Sequence, residues 1–267
     1  MLTEDRLTKL GIPLGHAVAI AEAAQRYGKG TLLVFMLTVQ VETKKRKREI
    51  QKAVDAGKDV IKRVKSLQLH QAQQNTFVEL PTDPFLFQSQ RTRFAFAKGN
   101  SVISTMHRKC TEDMLKFVQT RGPSVGEIGA SGTQRAVFSA LYIHGLRGVG
   151  KSYSLFEVVC QLRADSKNRV IYIPDCGGWG GEGAYTALSL LIQCICFAFN
   201  KEDEILERCN TVLLEEKPIK DLLNLLPEYC SQHKLNLFAI FDQHNGLTVL
   251  KSLLRSLFKI QSDSTKK

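Results

Sequence analysis

Lys151 and Ser152 are the two residues whose neighbours best equip them to do chemistry. They close the run Gly145-Leu146-Arg147-Gly148-Val149-Gly150-Lys151-Ser152, which fits the phosphate-binding spacing G-x-x-x-x-G-K-[S/T]. Glycines at this spacing let the backbone turn tightly and bring successive N–H groups toward an anion, and a helix that follows adds the partial positive charge of its N-terminus. In such a loop Lys151 reaches the β- and γ-phosphates of a nucleoside triphosphate. The Ser152 hydroxyl suits Mg²⁺, a small hard cation that is shared with the phosphates and needs few protein ligands. A second metal ligand is expected from a carboxylate at the end of a neighbouring strand. Asp242, 91 residues after Lys151, closes the mostly apolar run 235–242 and is that candidate. Gln243 follows it. Glutamine cannot take a proton, but it can orient a water by hydrogen bonding. Asp242 and Gln243 are therefore the candidate catalytic pair, with slow or partner-stimulated hydrolysis expected. The plainer alternatives are a Gly-rich surface turn for the loop and a turn residue for Asp242.

The elements needed to position these residues are present in the pattern. Residues 139–144 are rich in strand formers and end directly at Gly145. After Ser152, Leu155, Val158, Val159 and Leu162 recur at helical spacing. A further strand is expected over 169–176, then a glycine-rich loop over 177–183 and an apolar helix over 184–200. An additional strand between the glycine loop and the Asp242 strand is the order of the additional-strand class of P-loop NTPases, so the expected fold is α/β, a parallel sheet flanked by helices. Asp175, also at a strand end, either caps its loop or serves as a second candidate for the water or metal. Beyond Asp242 the pattern offers one helix, 247–260, and a polar tail. The class's further strand with a polar sensor has no counterpart, and Arg255, on an amphipathic helix, reads as solvated rather than as the arginine that reaches the γ-phosphate. The domain therefore reads as incomplete at its C-terminus.

Three segments taken together resemble the NTPase module of Crinkler-type proteins, itself related to that of retrotransposon hot-spot proteins. They are Gly145 to Ser152 with Tyr153-Ser154-Leu155 behind it, Val170 to Cys176 with Trp179 close after, and Asp242-Gln243-His244-Asn245. The resemblance covers about 135–250. It implies ATP or GTP with Mg²⁺ as ligands and effector functions inside cells, often in nuclei. Trp179, the only tryptophan, either packs over the sheet edge or braces the nucleotide. The ubiquitin-like header and the nuclease- or kinase-like domain of many family members have no counterpart. Residues 2–27 instead resemble the last two helices of a sterile-alpha-motif (SAM) domain, which some fungal members join to such an NTPase: Thr3 is the N-cap, Glu4 and Asp5 lie in the first turn, and Gly11 is the terminator. That likeness implies a protein partner or self-association.

The chain divides in this reading into SAM-like helices at 1–29, a basic helix and loosely ordered linker at 30–132, and the P-loop domain at 133–267. With 267 residues and 43% hydrophobic content it can bury a substantial core. The net charge of +11 is unevenly placed. Residues 42–65 hold ten Lys or Arg against four acids, with Ile50, Val54, Ile61 and Val64 at helical spacing, so a basic amphipathic helix is expected. Lys44 to Arg48, five consecutive cations, suits nuclear import, a nucleic-acid contact, or simply a solvated helix face. Residues 71–132 show weak periodicity and read as a long connection. Seven cysteines form no C-x-x-C pair and read as reduced, mostly buried thiols of an intracellular protein, with Cys194 and Cys196 in the core and no structural zinc. The apolar run 31–39 is far shorter than the roughly 20 residues of a membrane span, and residues 1–10 do not read as a secretory signal; secretion into a host cell is the alternative if the start lies upstream. The reading is Mg²⁺-dependent binding of a nucleoside triphosphate. Its alternatives are a nucleotide-gated interaction protein without turnover, or a degenerate fragment.

Overall fold

The computed structural model describes residues 29–82, 102–120, 141, 143–144, 149–174, 176 and 184–242, with the backbone alone for 29–43, 184–185 and 216. Their elements, in chain order, are α1 (Lys29–Ser66), β1 (Phe77–Pro81), β2 (Val102–Met106), α2 (Lys109–Thr120), α3 (Lys151–Ala164), β3 (Asn168–Ile173), α4 (Ala184–Ala198), α5 (Asp203–Thr211), α6 (Glu216–Gln232) and β4 (Asn236–Phe241), with one 3₁₀ turn at Leu69–Gln71. The fold is mixed α/β, rich in helix, with two small sheets.

The expected strands at 169–176 and 235–242 form as β3 and β4 and pair with each other in parallel, from Asn168 opposite Asn236 to Ile173 opposite Phe241. A parallel pair needs a crossover and has both faces covered. Here α4, α5 and α6 form the crossover. Alternation along the strands then sorts the core into two layers. Ile171 and Ile173 face a cluster with Leu191, Ile195, Ile205, Leu223 and Leu226, with Leu237 and Phe241 packed against it. Val170 and Tyr172 face the other way, toward Phe156, Val159 and Leu162 of α3, with Phe238 and Ile240 alongside. Of the strand expected over 139–144, Leu141, Ile143 and His144 are described, and none lies in a strand. A strand requires a paired neighbour, and among the described residues β3 and β4 pair only with each other.

The helix after the glycine loop differs from its expected form. A single apolar face was the expectation, yet Ser154, Phe156, Glu157, Val158, Val159, Cys160, Leu162 and Arg163 are all buried while Leu155 is half-buried. The reason is a second cover. Within 71–132, the segment read as a loosely ordered connection, β1 and β2 form an antiparallel pair. They and α2 pack on the side of α3 away from the sheet, through Leu80, Ile103 and Met114. Each strand is only five residues long, too short to give a strong period-2 signal.

The basic amphipathic helix is α1, and it is structural as well as charged. Ile50, Ala53 and Val54 enter one core and Val60 and Val64 the other, so residues on both sides of 132/133 share the same cores. Gly57, between those sets, lies against the end of α4: a Cβ there would be 2.6 Å from the Phe197 carbonyl oxygen. Arg46 also docks. Its guanidinium donates to the carbonyls of Cys209, at 2.6 Å, and Val212, and so satisfies acceptors that the end of α5 leaves unpaired. Of the five-cation run, Lys44, Lys45, Lys47 and Arg48 remain exposed. Arg169 at the start of β3 forms a largely buried ion pair with Glu202 before α5. No described helix is long and apolar enough to cross a membrane.

None of the seven cysteines is in a disulfide, and all but Cys110 are buried, Cys194 and Cys196 in the core as the pattern suggests. Burial pushes the Cys230 thiol up to about 12. Cys209 is raised well above its ordinary value, first by its hydrogen bond to Cys196 and then by burial. Since the thiolate is the nucleophile, one thiol should react rapidly with a disulfide reagent in the native protein at neutral pH, and seven after denaturation. Loss of the fast-reacting equivalent in Cys110→Ser checks the assignment.

Candidate functional site

Four of the eight residues of the glycine loop, Val149 to Ser152, are described, and they lead into α3. Gly150 precedes α3 with φ 82° and ψ 18°, the left-handed conformation that glycine adopts without a side-chain clash. Lys151 is the first residue of the right-handed helix, and the Ser154 N–H closes the first turn on the Gly150 carbonyl at 3.1 Å. A left-handed residue followed by a right-handed one makes consecutive N–H groups converge into a concave nest. Val149 is exposed, while Gly150, Lys151 and Ser152 are half-buried. Gly145, Leu146, Arg147, Gly148, Asp175, Trp179 and Gln243 lie outside the described residues, as do the SAM-like helices and the 247–260 pattern.

The turn from α3 into β3 fixes the direction of both. The Asp165 side chain accepts from the Lys167 N–H at 2.9 Å, and the Asn168 amide donates to the Leu162 carbonyl at 2.9 Å. So short a connection reverses the chain. Packed on the sheet, with Phe156 against Tyr172 at 5.9 Å between ring centroids, α3 must run antiparallel to β3. Its N-terminus therefore lies toward the carboxyl ends of β3 and β4. Asp242 is at the same edge. It is buried, its N–H donates to the Ile173 carbonyl at 2.9 Å, and its carbonyl accepts from the Cys176 N–H at 3.1 Å. The carboxyl edge of a parallel sheet is where α/β folds place their ligands, and Lys151, Ser152 and Asp242 all belong to it.

The residue pattern alone did not single out two groups beside this edge. Arg108, between β2 and α2, donates from Nη1 to the Val149 carbonyl at 2.6 Å. Beneath α3, Glu157 is fully buried and its carboxylate is fully engaged. His107 Nδ1 contacts Oε1, which the Gln161 amide reaches at 3.3 Å, and the Thr111 hydroxyl donates to Oε2 at 3.4 Å. His107 Nε2 faces Glu112 Oε1 at 3.3 Å. One signal was available: Glu157 stands between Phe156 and Val158, and a carboxylate in a buried apolar run requires a partner.

Among the described residues no three of His, Cys, Asp and Glu group as a metal cage. Among the described residues, a Mg²⁺ shared with phosphates would draw on Ser152 and Asp242, and their hard oxygen donors fit it. No protein-family model, curated protein or solved structure matches the chain.

Proposed function

We propose that this chain binds Mg²⁺ with a nucleoside triphosphate, ATP or GTP, as an additional-strand P-loop NTPase module of the Crinkler type, and hydrolyses it slowly or on stimulation by a partner. One observation carries the reading. The left-handed Gly150 opens α3 at the sheet edge where Asp242 is buried, which is where this motif has its physical meaning. Lys151 would neutralise the terminal phosphates, and the N–H groups of Gly150 and Lys151 would donate to their oxygens. Ser152 and Asp242 would hold Mg²⁺, which when bound spreads the charge developing on the transferred phosphoryl group.

Gln243 after Asp242 favours a second reading, a nucleotide-gated interaction module that binds without turnover. Lys44, Lys45, Lys47 and Arg48, exposed on α1, are the residues on which nuclear import or nucleic-acid contact would rest. The test is titration with a fluorescent nucleoside triphosphate, with and without Mg²⁺, paired with phosphate release. Lys151→Ala should weaken binding at least about 10-fold, the scale of one lost charge-assisted hydrogen bond. No binding by the wild type, or equal binding by the variant, removes the proposal. Binding with no phosphate released selects the second reading.

A further inference from the structure

We infer that Arg108 is a positioning residue of the glycine loop, holding the Val149 carbonyl so that the Gly150 N–H is aimed at the phosphate. In a trans peptide the carbonyl and the following N–H point in opposite directions, and no cis bond occurs among the described residues. Fixing the Val149 oxygen on one side therefore fixes the Gly150 N–H on the other. Arg108 fixes it from a rigid base. Its own carbonyl accepts from the Thr111 and Glu112 N–H groups, at 2.9 and 3.4 Å, in the first turn of α2. His107 before it is tied by its N–H to the Thr76 carbonyl and by its carbonyl to the Asn75 N–H, both at 2.8 Å.

The seat of the guanidinium is cut to fit. A Cβ on Gly150 would be 2.7 Å from Nη1 and 3.1 Å from Cζ of Arg108, so the absence of a side chain there admits the left-handed turn and the arginine together. A guanidinium offers several donors in a fixed plane, and one suffices for the carbonyl. Loop orientation thus depends on the β1–β2–α2 unit, which lies far outside the motif in sequence. The inference rests on the nucleotide reading, and its test must be separable from that reading.

The experiment compares wild type, Lys151→Ala, Arg108→Ala and Arg108→Lys in the full chain, by triphosphate titration and by the amide ¹H and ¹⁵N shifts of Gly150 before nucleotide is added. Arg108→Ala should weaken binding about 10-fold, the scale of losing a hydrogen bond to a charged donor. It should also move the Gly150 amide resonance with little change in the unfolding midpoint, since Arg108 is exposed. Arg108→Lys, which keeps a charged donor, should recover part of both. Binding lost in Lys151→Ala but intact in Arg108→Ala overturns the positioning role alone, as does an unmoved Gly150 amide. Wild-type binding in both variants overturns the nucleotide reading and this inference with it.

Discussion

Replacing His107 with alanine should destabilise the protein by about 3 kcal/mol, the upper range for leaving a buried acceptor without its hydrogen-bond partner. Glu157 is fully buried in α3 and His107 is 3% exposed. A carboxylate in that position depends on donors, and the imidazole supplies the closest of them. Without it the Thr111 hydroxyl at 3.4 Å and the Gln161 amide at 3.3 Å remain, both long for the load. The loss should be asymmetric. Removing both polar partners in His107→Ala with Glu157→Leu leaves an apolar pair, and replacing a buried pair by apolar groups is often neutral or better. Urea unfolding should therefore place the double variant well above His107→Ala. If the single variant keeps wild-type stability, or the double variant is no better than it, the network is not what holds α2 against α3.

That network also shows where the sequence was legible. β3, β4, α4 and the basic part of α1 follow from apolar runs and helical periodicity, because each of these elements buries one continuous face or is apolar throughout. The start of α3 follows from Gly150 and Lys151, whose spacing has a backbone meaning. The cover over α3 was not legible. Its strands are five residues each, and its contact with α3 runs through His107, Thr111 and Glu157, polar residues whose partners lie 46 and 50 positions apart. Periodicity reports which face of an element is apolar; it does not report which distant polar residue satisfies a buried charge. The same holds for Arg46, which reads as one cation in a run of five until its contacts 163 and 166 residues away are seen. Arg108 adds a third case, since nothing in the glycine motif points to a residue 41 positions before Val149.

Gly57→Leu should destabilise the protein by about 3 kcal/mol, the upper range for forcing atoms into a packed core. Gly57 lies inside α1, where glycine itself is unfavourable by roughly 1 kcal/mol relative to alanine. On propensity alone any replacement but proline would stabilise. Packing opposes this, because the first added atom would be 2.6 Å from the Phe197 carbonyl oxygen and 2.8 Å from the Asn200 amide nitrogen. The amide could swing aside, although it would give up its 2.7 Å bond to that same carbonyl. The carbonyl cannot, since it belongs to the end of α4, between the buried Phe197 and Phe199. Relief has to come from α1 moving away, which would open the contacts of Ile50 and Val54 in one core and Val60 in the other. Gly57→Ala sets the two effects directly against each other, and steric overlap with backbone should win by about 1 kcal/mol. Thermal unfolding against Lys58→Ala, an exposed neighbour on the same helix, isolates the packing effect. A Gly57→Ala variant more stable than wild type would mean that helix propensity outweighs contact here, and that α1 is not held as closely to α4 as the 2.6 Å approach requires.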